Sequence, residues 1–357
     1  MKKSLIALAV ASAVSAPAFA ATANVDVYGK MHVSVSSIDA DTAGVSTDTS
    51  ISSNASRIGF KGAEDLGGGL SAIWQYETTI NLDGNNSGNG GTGSMRNSFI
   101  GVKGGFGTVF AGIHDTPMKL LGRMLDNFGD TLADSRGILG ATSLNGTNIF
   151  DPRTNNTIAY VSPDFSGLTV SGAYVTDLNE ATNAVDNNDT DAYSVNAVYK
   201  NGPILLGAAY EKQNVSATTD RDMWRLAAGY TFGNAKLGAL YQSSESTNAA
   251  TEERDGWGVF GSYAMGAITL KANYLKAGES NLAAGDDGAN QWTAGVDYAL
   301  SKRTTLYALY ARVSNDSNAR YGLGTGVGST DRVSGGGTAI SGGADPSLFG
   351  IGMMHSF

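Results

Sequence analysis

LFGIGMMHSF, residues 348–357, closes the chain. Counting back from Phe357, large or apolar side chains fall at every second position: Phe357, His355, Met353, Ile351 and Phe349. Ser356, Met354, Gly352, Gly350 and Leu348 make a smaller opposite face. A strand turns successive side chains to opposite faces, so the segment reads as a strand with one greasy face and an aromatic carboxy-terminus. As the edge of a water-soluble sheet, such a strand invites pairing with other chains. In a closed membrane barrel the same face meets lipid.

The other end narrows the choice. Lys2 and Lys3 precede an apolar run over residues 5–14, and the small residues Ala18 and Ala20 flank Phe19. This reads as a secretory signal over residues 1–20, cleaved before Ala21. The run is too short for a spanning helix, which needs about 20 residues. The mature chain, residues 21–357, then carries 24 − 2 = 22 basic against 33 acidic residues, a formal charge of −11. That balance argues against a nucleic-acid partner. With no cysteine, an exported domain has no disulfide framework. No second long apolar run follows, which excludes a helical membrane bundle. The 48 glycines interleaved with strand formers suit an outer-membrane barrel or a large soluble all-β fold.

Periodicity decides between these. Over residues 24–36 the odd positions are Val25, Val27, Gly29, Met31, Val33 and Val35, and the even ones Asp26, Tyr28, Lys30, His32, Ser34 and Ser36. After a Ser-, Thr- and Asp-rich stretch read as a loop, SRIGFKG puts Arg57 and Lys61 on one face and Ile58 and Phe60 on the other. Hairpins follow across the GAEDLGGG turn and across SFIGVKGGFGTVFAG. Further units recur, among them Trp224/Leu226/Ala228/Tyr230 and Ile268/Leu270/Ala272/Tyr274, with aromatics near segment ends as a membrane-interface girdle requires. Tight turns at 200–203, 232–235, 264–267 and 300–303 alternate with polar stretches at 178–190, 213–221, 243–254, 278–289 and 314–346, read as long loops. Short turns on one side and long loops on the other belong to a barrel. Sixteen segments, an even number, put both termini at the short-turn end and leave room for a water-filled channel.

The pattern breaks over residues 114–152, too long for a hairpin connection. Its PMKLLGRMLDNF portion has helical spacing, so the stretch reads as an ordered insertion containing a short helix.

SRIGFKGAEDLGGGL, SFIGVKGGFGTV, NTIAYVSPDFSGL, LSKRTTLYALY and GMMHSF together resemble the trimeric general porins of Gram-negative outer membranes. The resemblance runs through the whole mature chain. It implies an all-β, 16-stranded antiparallel transmembrane β-barrel, a homotrimer set in outer-membrane lipid and lipopolysaccharide, with residues 114–152 folded inward as the constriction loop. It also implies a basic wall of Arg57, Arg96 and Arg153, with Lys61 nearby, facing loop carboxylates nominated as Asp115, Asp126, Asp130 and Asp134. Phe357 becomes the mark read by the barrel assembly machinery. Two departures weaken an assumption of strong anion selectivity: Gly112-Ile113 and Met354 stand where relatives often carry an arginine.

The expected function is passive diffusion of small hydrophilic solutes and ions, with opposed charges across the passage biasing what crosses. The alternatives are a substrate-selective channel and a non-transport barrel such as an adhesin, scaffold or hydrolase. His114 beside Asp115 carries almost no catalytic specificity. DNNDTD, residues 186–191, lacks the glycine and distal glutamate of a calcium loop, so no metal and no cofactor is expected.

Overall fold

The computed structural model describes residues 24–42, 48–84, 93–140, 150–178, 190–216, 218–247, 251–282, 285–324 and 340–357. The signal read over residues 1–20, and most of the DNNDTD stretch, lie outside the described residues. The strand segments are β1 (Asn24–Asp39), β2 (Asp48–Ser53), β3 (Arg57–Gly67), β4 (Leu70–Thr79), β5 (Ser98–Gly104), β6 (Gly107–Asp115), β7 (Arg153–Val161), β8 (Leu168–Val175) and β9 (Ala192–Asn201). They continue as β10 (Ile204–Ser216), β11 (Thr219–Phe232), β12 (Ala235–Thr247), β13 (Thr251–Met265), β14 (Ile268–Ala277), β15 (Ala289–Ala299), β16 (Thr304–Asn315) and β17 (Ser347–Ser356). Two short helices, α1 (Pro117–Arg123) and α2 (Arg136–Leu139), sit in the long insertion between β6 and β7.

Every segment is antiparallel to its neighbours, and β17 pairs with β1 from Lys30↔Ser356 to Asp39↔Ser347, so the sheet closes on itself without an edge. β2 and β3 lie end to end against β1 and count as one barrel strand, which makes the barrel sixteen-stranded. The sequence reading placed β2 inside a loop. Its Ser- and Thr-rich composition hides it, yet it pairs with β1 over six positions from Ile38↔Asp48 to Val33↔Ser53.

The junction of β2 and β3 has a purpose. Between the Val33↔Ser53 and Lys30↔Arg57 pairs, β1 advances three residues and its partner four. The extra residue is a bulge at residues 54–56, with Ala55 at φ 51°. Asn54 donates its backbone N–H to the His32 carbonyl, and the Ser56 hydroxyl bridges the His32 N–H and carbonyl, so the bulge leaves those polar groups paired. One inserted residue exchanges the two faces of a strand. Before the bulge the odd residue Ile51 faces outward and is exposed; after it the odd residues Arg57 and Lys61 turn into the lumen.

Two polar stretches are shorter connections than their composition indicated. β10 runs to Ser216 and β11 begins at Thr219, and β12 and β13 stop at Thr247 and Thr251. Their polar residues continue the ladder because strand pairing is a backbone interaction, and side chains that project beyond the apolar band are free to be polar. Composition marks where the lipid ends, not where the strand ends.

The apolar material divides in two. Large side chains such as Val27, Ile100, Leu226, Leu270, Ile351 and Met353 are exposed on the outer face, as a lipid-facing surface demands. The buried core lies inside the barrel, where the insertion packs on one side of the wall. Met118, Leu121 and Phe150 pack with Val198, Ala209 and Met223; Phe128, Leu132 and Ile138 pack with Leu240, Phe260, Leu275 and Leu309. Wall glycines make room for this. A Cβ on Gly207 would collide with Leu121, one on Gly238 would approach Leu125 Cδ2 at 2.7 Å, and one on Gly295 would approach Phe128 Cε1 at 2.8 Å.

Candidate functional site

The insertion leaves the wall at the end of β6 away from the tight turns and turns inward through α1. Thr116 caps that helix, its hydroxyl accepting from the Lys119 N–H at 3.4 Å, and Pro117 occupies the first turn, where a missing N–H costs nothing. Polar pins then fasten the loop to the β9–β15 wall. The Asn196 amide donates to the Pro117 carbonyl at 2.8 Å, the Asn127 amide to the Gly261 carbonyl at 3.0 Å, and the Gln291 amide to the Ala133 carbonyl at 3.0 Å. The strongest pin is Arg225, 1 % exposed at its side chain, which forms a bidentate pair with Asp151 at 2.7 and 3.2 Å. Its Nη1 also donates to the Met118 carbonyl at 3.1 Å, and its Nε to Gln242 Oε1 at 3.0 Å. One guanidinium thus gathers both ends of the loop.

The opposite wall is basic. Lys30 Nζ and Arg57 Nη1 each reach Asp130 Oδ2 at 3.2 Å, and Arg123, from the loop itself, reaches Asp130 Oδ1 at 2.9 Å. Arg96 Nε donates to Glu77 Oε1, and the Tyr28 hydroxyl donates to the other Glu77 oxygen at 3.0 Å. Arg153 meets Asp115 Oδ1 at 3.1 Å and Asn97 Oδ1 at 2.8 Å, while Lys119 closes on Asp115 at 2.8 Å. Asp134 accepts from Arg136 Nε at 3.0 Å.

Four of the nominated groups are therefore brought together, in two different ways: Arg57 with Asp130 is a loop–wall pair, whereas Arg153 and Asp115 are register partners at the facing ends of β7 and β6, so Asp115 belongs to the wall and not to the loop. Arg96 stands in the same wall but pairs with Glu77 of β4 instead of a loop carboxylate. Asp134 serves the loop's own Arg136. Asp126 turns back into the loop, accepting from the Phe128 N–H at 2.9 Å, the Ser135 N–H at 3.0 Å and the Asn273 amide at 3.0 Å. Lys61 is apart from all of these, its amine 5.3 Å from the Tyr28 ring centroid and without an ion pair among the described residues.

Sequence reasoning missed Lys30, Glu77, Arg225 and Asp151. The first two were legible as charges on inward positions of neighbouring strands, since register sets Lys30 opposite Arg57 and Glu77 opposite Gly59. Arg225 alternates with outward Trp224 and Leu226 and so points inward. Nothing in the sequence tells which loop residue meets it. His114, raised as a catalytic candidate, donates from Nδ1 to the Asp115 carbonyl at 2.8 Å and packs between Phe99 and Phe110. Among the described residues its ring hydrogen-bonds no carboxylate.

The electrostatics follow from these contacts. Burial alone would raise the Asp130 carboxyl, but Arg123, Lys30 and Arg57 hold it well below the usual carboxylate range. Burial pushes the Lys119 amine down to about 8, against the pull of Asp115. Burial, reinforced by the neighbouring Asp134 charge, pushes Asp126 up to about 6. A raised carboxyl binds its proton more tightly folded than unfolded, so its contribution to loop docking is present at low pH and is lost as pH rises through about 6. Lowering pH from 7 to 5 is expected to remove this negative charge and move the zero-current potential toward anions by less than a twofold change in permeability ratio, since a wet lumen screens it. Asp126→Asn should abolish that pH step; an unchanged step in the variant refutes the assignment.

The Gram-negative porin family model matches residues 7–318. Outer membrane porin protein 32 of Delftia acidovorans is 33% identical over 331 residues, 90% of this chain and 92% of that protein. The major outer membrane protein P.IB of Neisseria meningitidis serogroup B is 37% identical over 243 residues, 64% of this chain and 66% of that protein. Among solved structures, an anion-selective porin from Comamonas acidovorans is similar at a TM-score of 0.80 and 27% identity, spanning 94% of this chain and 100% of that one. A closed sixteen-stranded barrel with an apolar outside and a charged inside, matched over nine tenths of its length by such a relative, makes this chain a member of the Gram-negative porin family, an outer-membrane channel through which small hydrophilic solutes and ions diffuse.

Proposed function

We propose that the passage is narrowest where the inward loop meets the basic wall, and that it passes anions in modest preference to cations. The observation that carries this is a charge imbalance. Lys30, Arg57, Arg96, Lys119, Arg123, Arg136 and Arg153 converge with four partner carboxylates, Glu77, Asp115, Asp130 and Asp134, leaving 7 − 4 = 3 cations in excess, or two if Asp126 is counted as charged. The anion selectivity of the Comamonas porin agrees with the sign. Each pair borders a wet lumen and contributes about 1–4 kcal/mol, so the preference is modest and fades with salt. Arg57→Ala, Arg96→Ala and Arg153→Ala, measured singly by zero-current potential across a salt gradient, are each expected to shift toward cations. No shift in any of the three would remove the basic wall from the mechanism. The charged pairs are unspecific, which favours a general pore over a substrate-selective one, and among the described residues His114 has no hydrogen-bonded carboxylate of the kind a hydrolase would use.

The chain is proposed to be exported by its cleaved leader and to assemble as a homotrimer through the outer face of β1–β6. Paired rings form an outer row on the other strands: Tyr193–Tyr210 at 6.0 Å, Trp224–Tyr241 at 5.3 Å, Trp257–Tyr274 at 5.4 Å and Trp292–Tyr310 at 5.0 Å. On their outer faces β1, β2 and β5 present Val35, Ile51 and Ile100, exposed and aliphatic, which suits protein contact better than a headgroup boundary. Lipid and lipopolysaccharide then border the ringed side. Phe357 exchanges two backbone hydrogen bonds with Gly29, both at 3.1 Å, and its ring covers that glycine. Deleting Phe357 is expected to lower the yield of heat-dissociable trimer on native gels more than the conductance of whatever assembles, through loss of the assembly mark. Normal yield contradicts the mark, and a parent protein that runs as monomer contradicts the trimer.

A further inference from the structure

On the short-turn side of the loop, away from the charge cluster, the lumen wall holds a cavity of about 410 Å³. Its lining is two-sided. Leu125 of the loop, with Leu205 and Phe260 of the wall, supplies an apolar part, and Lys200, Lys236 and Lys271 supply cations. The register shows how they are arranged. Thr231, Lys236, Ser262 and Lys271 are cross-strand neighbours on four consecutive strands, so Lys236 and Lys271 stand two strands apart, about 10 Å, with the Ser262 hydroxyl position between them. One step further from the turns, Gly229, Gly238 and Phe260 form the next row, and Leu125 lies in the glycine notch above it. Lys271 is held by Asp297 at 2.8 Å and lies 4.8 Å from the Phe128 ring centroid. Lys200 and Lys236 are exposed and make no ion pair among the described residues. The carboxylate in the lining, Asp126, is turned to the loop's backbone and Asn273.

We propose that this cavity is a binding subsite for amphipathic monocarboxylates, an aryl- or alkyl-chain acid whose carboxylate lies along the Lys236–Ser262–Lys271 row and whose tail sits on Leu125, Leu205 and Phe260. A concave site of this volume with an apolar lining and a few convergent donors is the usual form of a small-ligand pocket. The row offers charge-assisted hydrogen bonds to one anionic head. A solute without the head loses those bonds, and one without the tail loses the apolar burial. Such a solute pauses in the lumen instead of crossing freely, so uptake of this class saturates while that of small ions does not.

The test is current through the full-length protein in planar bilayers, with 4-phenylbutyrate added at the short-turn side and acetate and 4-phenylbutanol as the head-only and tail-only probes. Phenylbutyrate is expected to reduce the current saturably, with a half-blocking concentration at least about tenfold below either control. Lys236→Gln is expected to raise that concentration about three- to tenfold, Lys236→Arg to restore it, and Lys200→Gln to raise it less. Equal block by acetate, equal block by phenylbutanol, or a block untouched by Lys236→Gln and Lys200→Gln overturns the subsite. A block abolished by Arg57→Ala but kept in Lys236→Gln moves binding to the charge cluster and equally overturns it.

Discussion

Arg225→Ala is expected to release the inward loop from the wall. The guanidinium is buried and bound bidentately to Asp151, while also holding the Met118 carbonyl and Gln242. Taking away one partner of such a pair leaves Asp151 charged and alone inside the protein, a cost of about 3–5 kcal/mol. That exceeds what any other single hydrogen bond of the loop contributes, about 0.5–1.5 kcal/mol. The barrel ladder does not depend on Arg225, so the cost should fall on loop docking. Single channels should turn noisy, with substates replacing one level, and native protein should become cleavable by trypsin after Lys119 or Arg123. Converting both partners, Arg225→Met with Asp151→Leu, should recover much of the quiet behaviour, because matched apolar replacement removes the stranded charge. Quiet, protease-resistant channels from Arg225→Ala would refute the pin.

Asp130→Asn should give the largest change in selectivity. Lys30, Arg57 and Arg123 meet on this one carboxylate within 3.2 Å. Without its charge three cations face one another and the local excess grows by one. At an effective dielectric between water and the protein surface each lost attraction is about 1–4 kcal/mol. Part of this will be relieved as the side chains spread, so the anion-to-cation permeability ratio is expected to rise about three- to tenfold at low salt, shrinking as salt screens it. The pH dependence has a definite sign. Because the folded carboxyl lies below its unfolded value of about 3.9, its contribution is complete above that value and is lost only as pH falls through the lower folded one. In the parent the Asp130 contribution should therefore be flat from neutral pH down to about 4, below which the parent should approach the variant. A ratio unchanged by Asp130→Asn in 0.1 M salt, where the screening length is about 10 Å, would sink the account.

The barrel was legible because its information is local. Alternation in residues 24–36 and in the closing segment states which side chains meet lipid, and β1 pairs with β17 as the two end patterns require. Arg57 was legible by the same means. What hid β2 was its lack of an apolar face: Ile51 is its one large apolar side chain, and period-two reasoning needs several. The overextended loops at 213–221 and 243–254 have the complementary cause, since polarity there reports water rather than irregular backbone. Inside the lumen the rule runs out altogether. Asp115, Asp126, Asp130 and Asp134 look alike in sequence; strand register sets Asp115 against Arg153, and only the path of the loop assigns one of the others to its own backbone and Asn273, one to three cations and one to Arg136. Arg225 and Asp151 are 74 residues apart, a separation no local pattern bridges.

With the passage narrowest at the inward loop, as proposed above, the glycines beneath Leu121, Leu125 and Phe128 make the pore's gauge a property of the wall as much as of the loop. A methyl group added at Gly207 or Gly238 lengthens nothing and charges nothing, yet it moves the hinge side of a partition whose far side borders the open water. Aperture can thus be graded in steps of one carbon from behind, with the loop's own sequence, and every charge it carries, left as it is. A loop transplanted from a relative whose wall lacks these hollows would stand proud and narrow the passage, so loop and hollows form a matched lock and key that is best exchanged together.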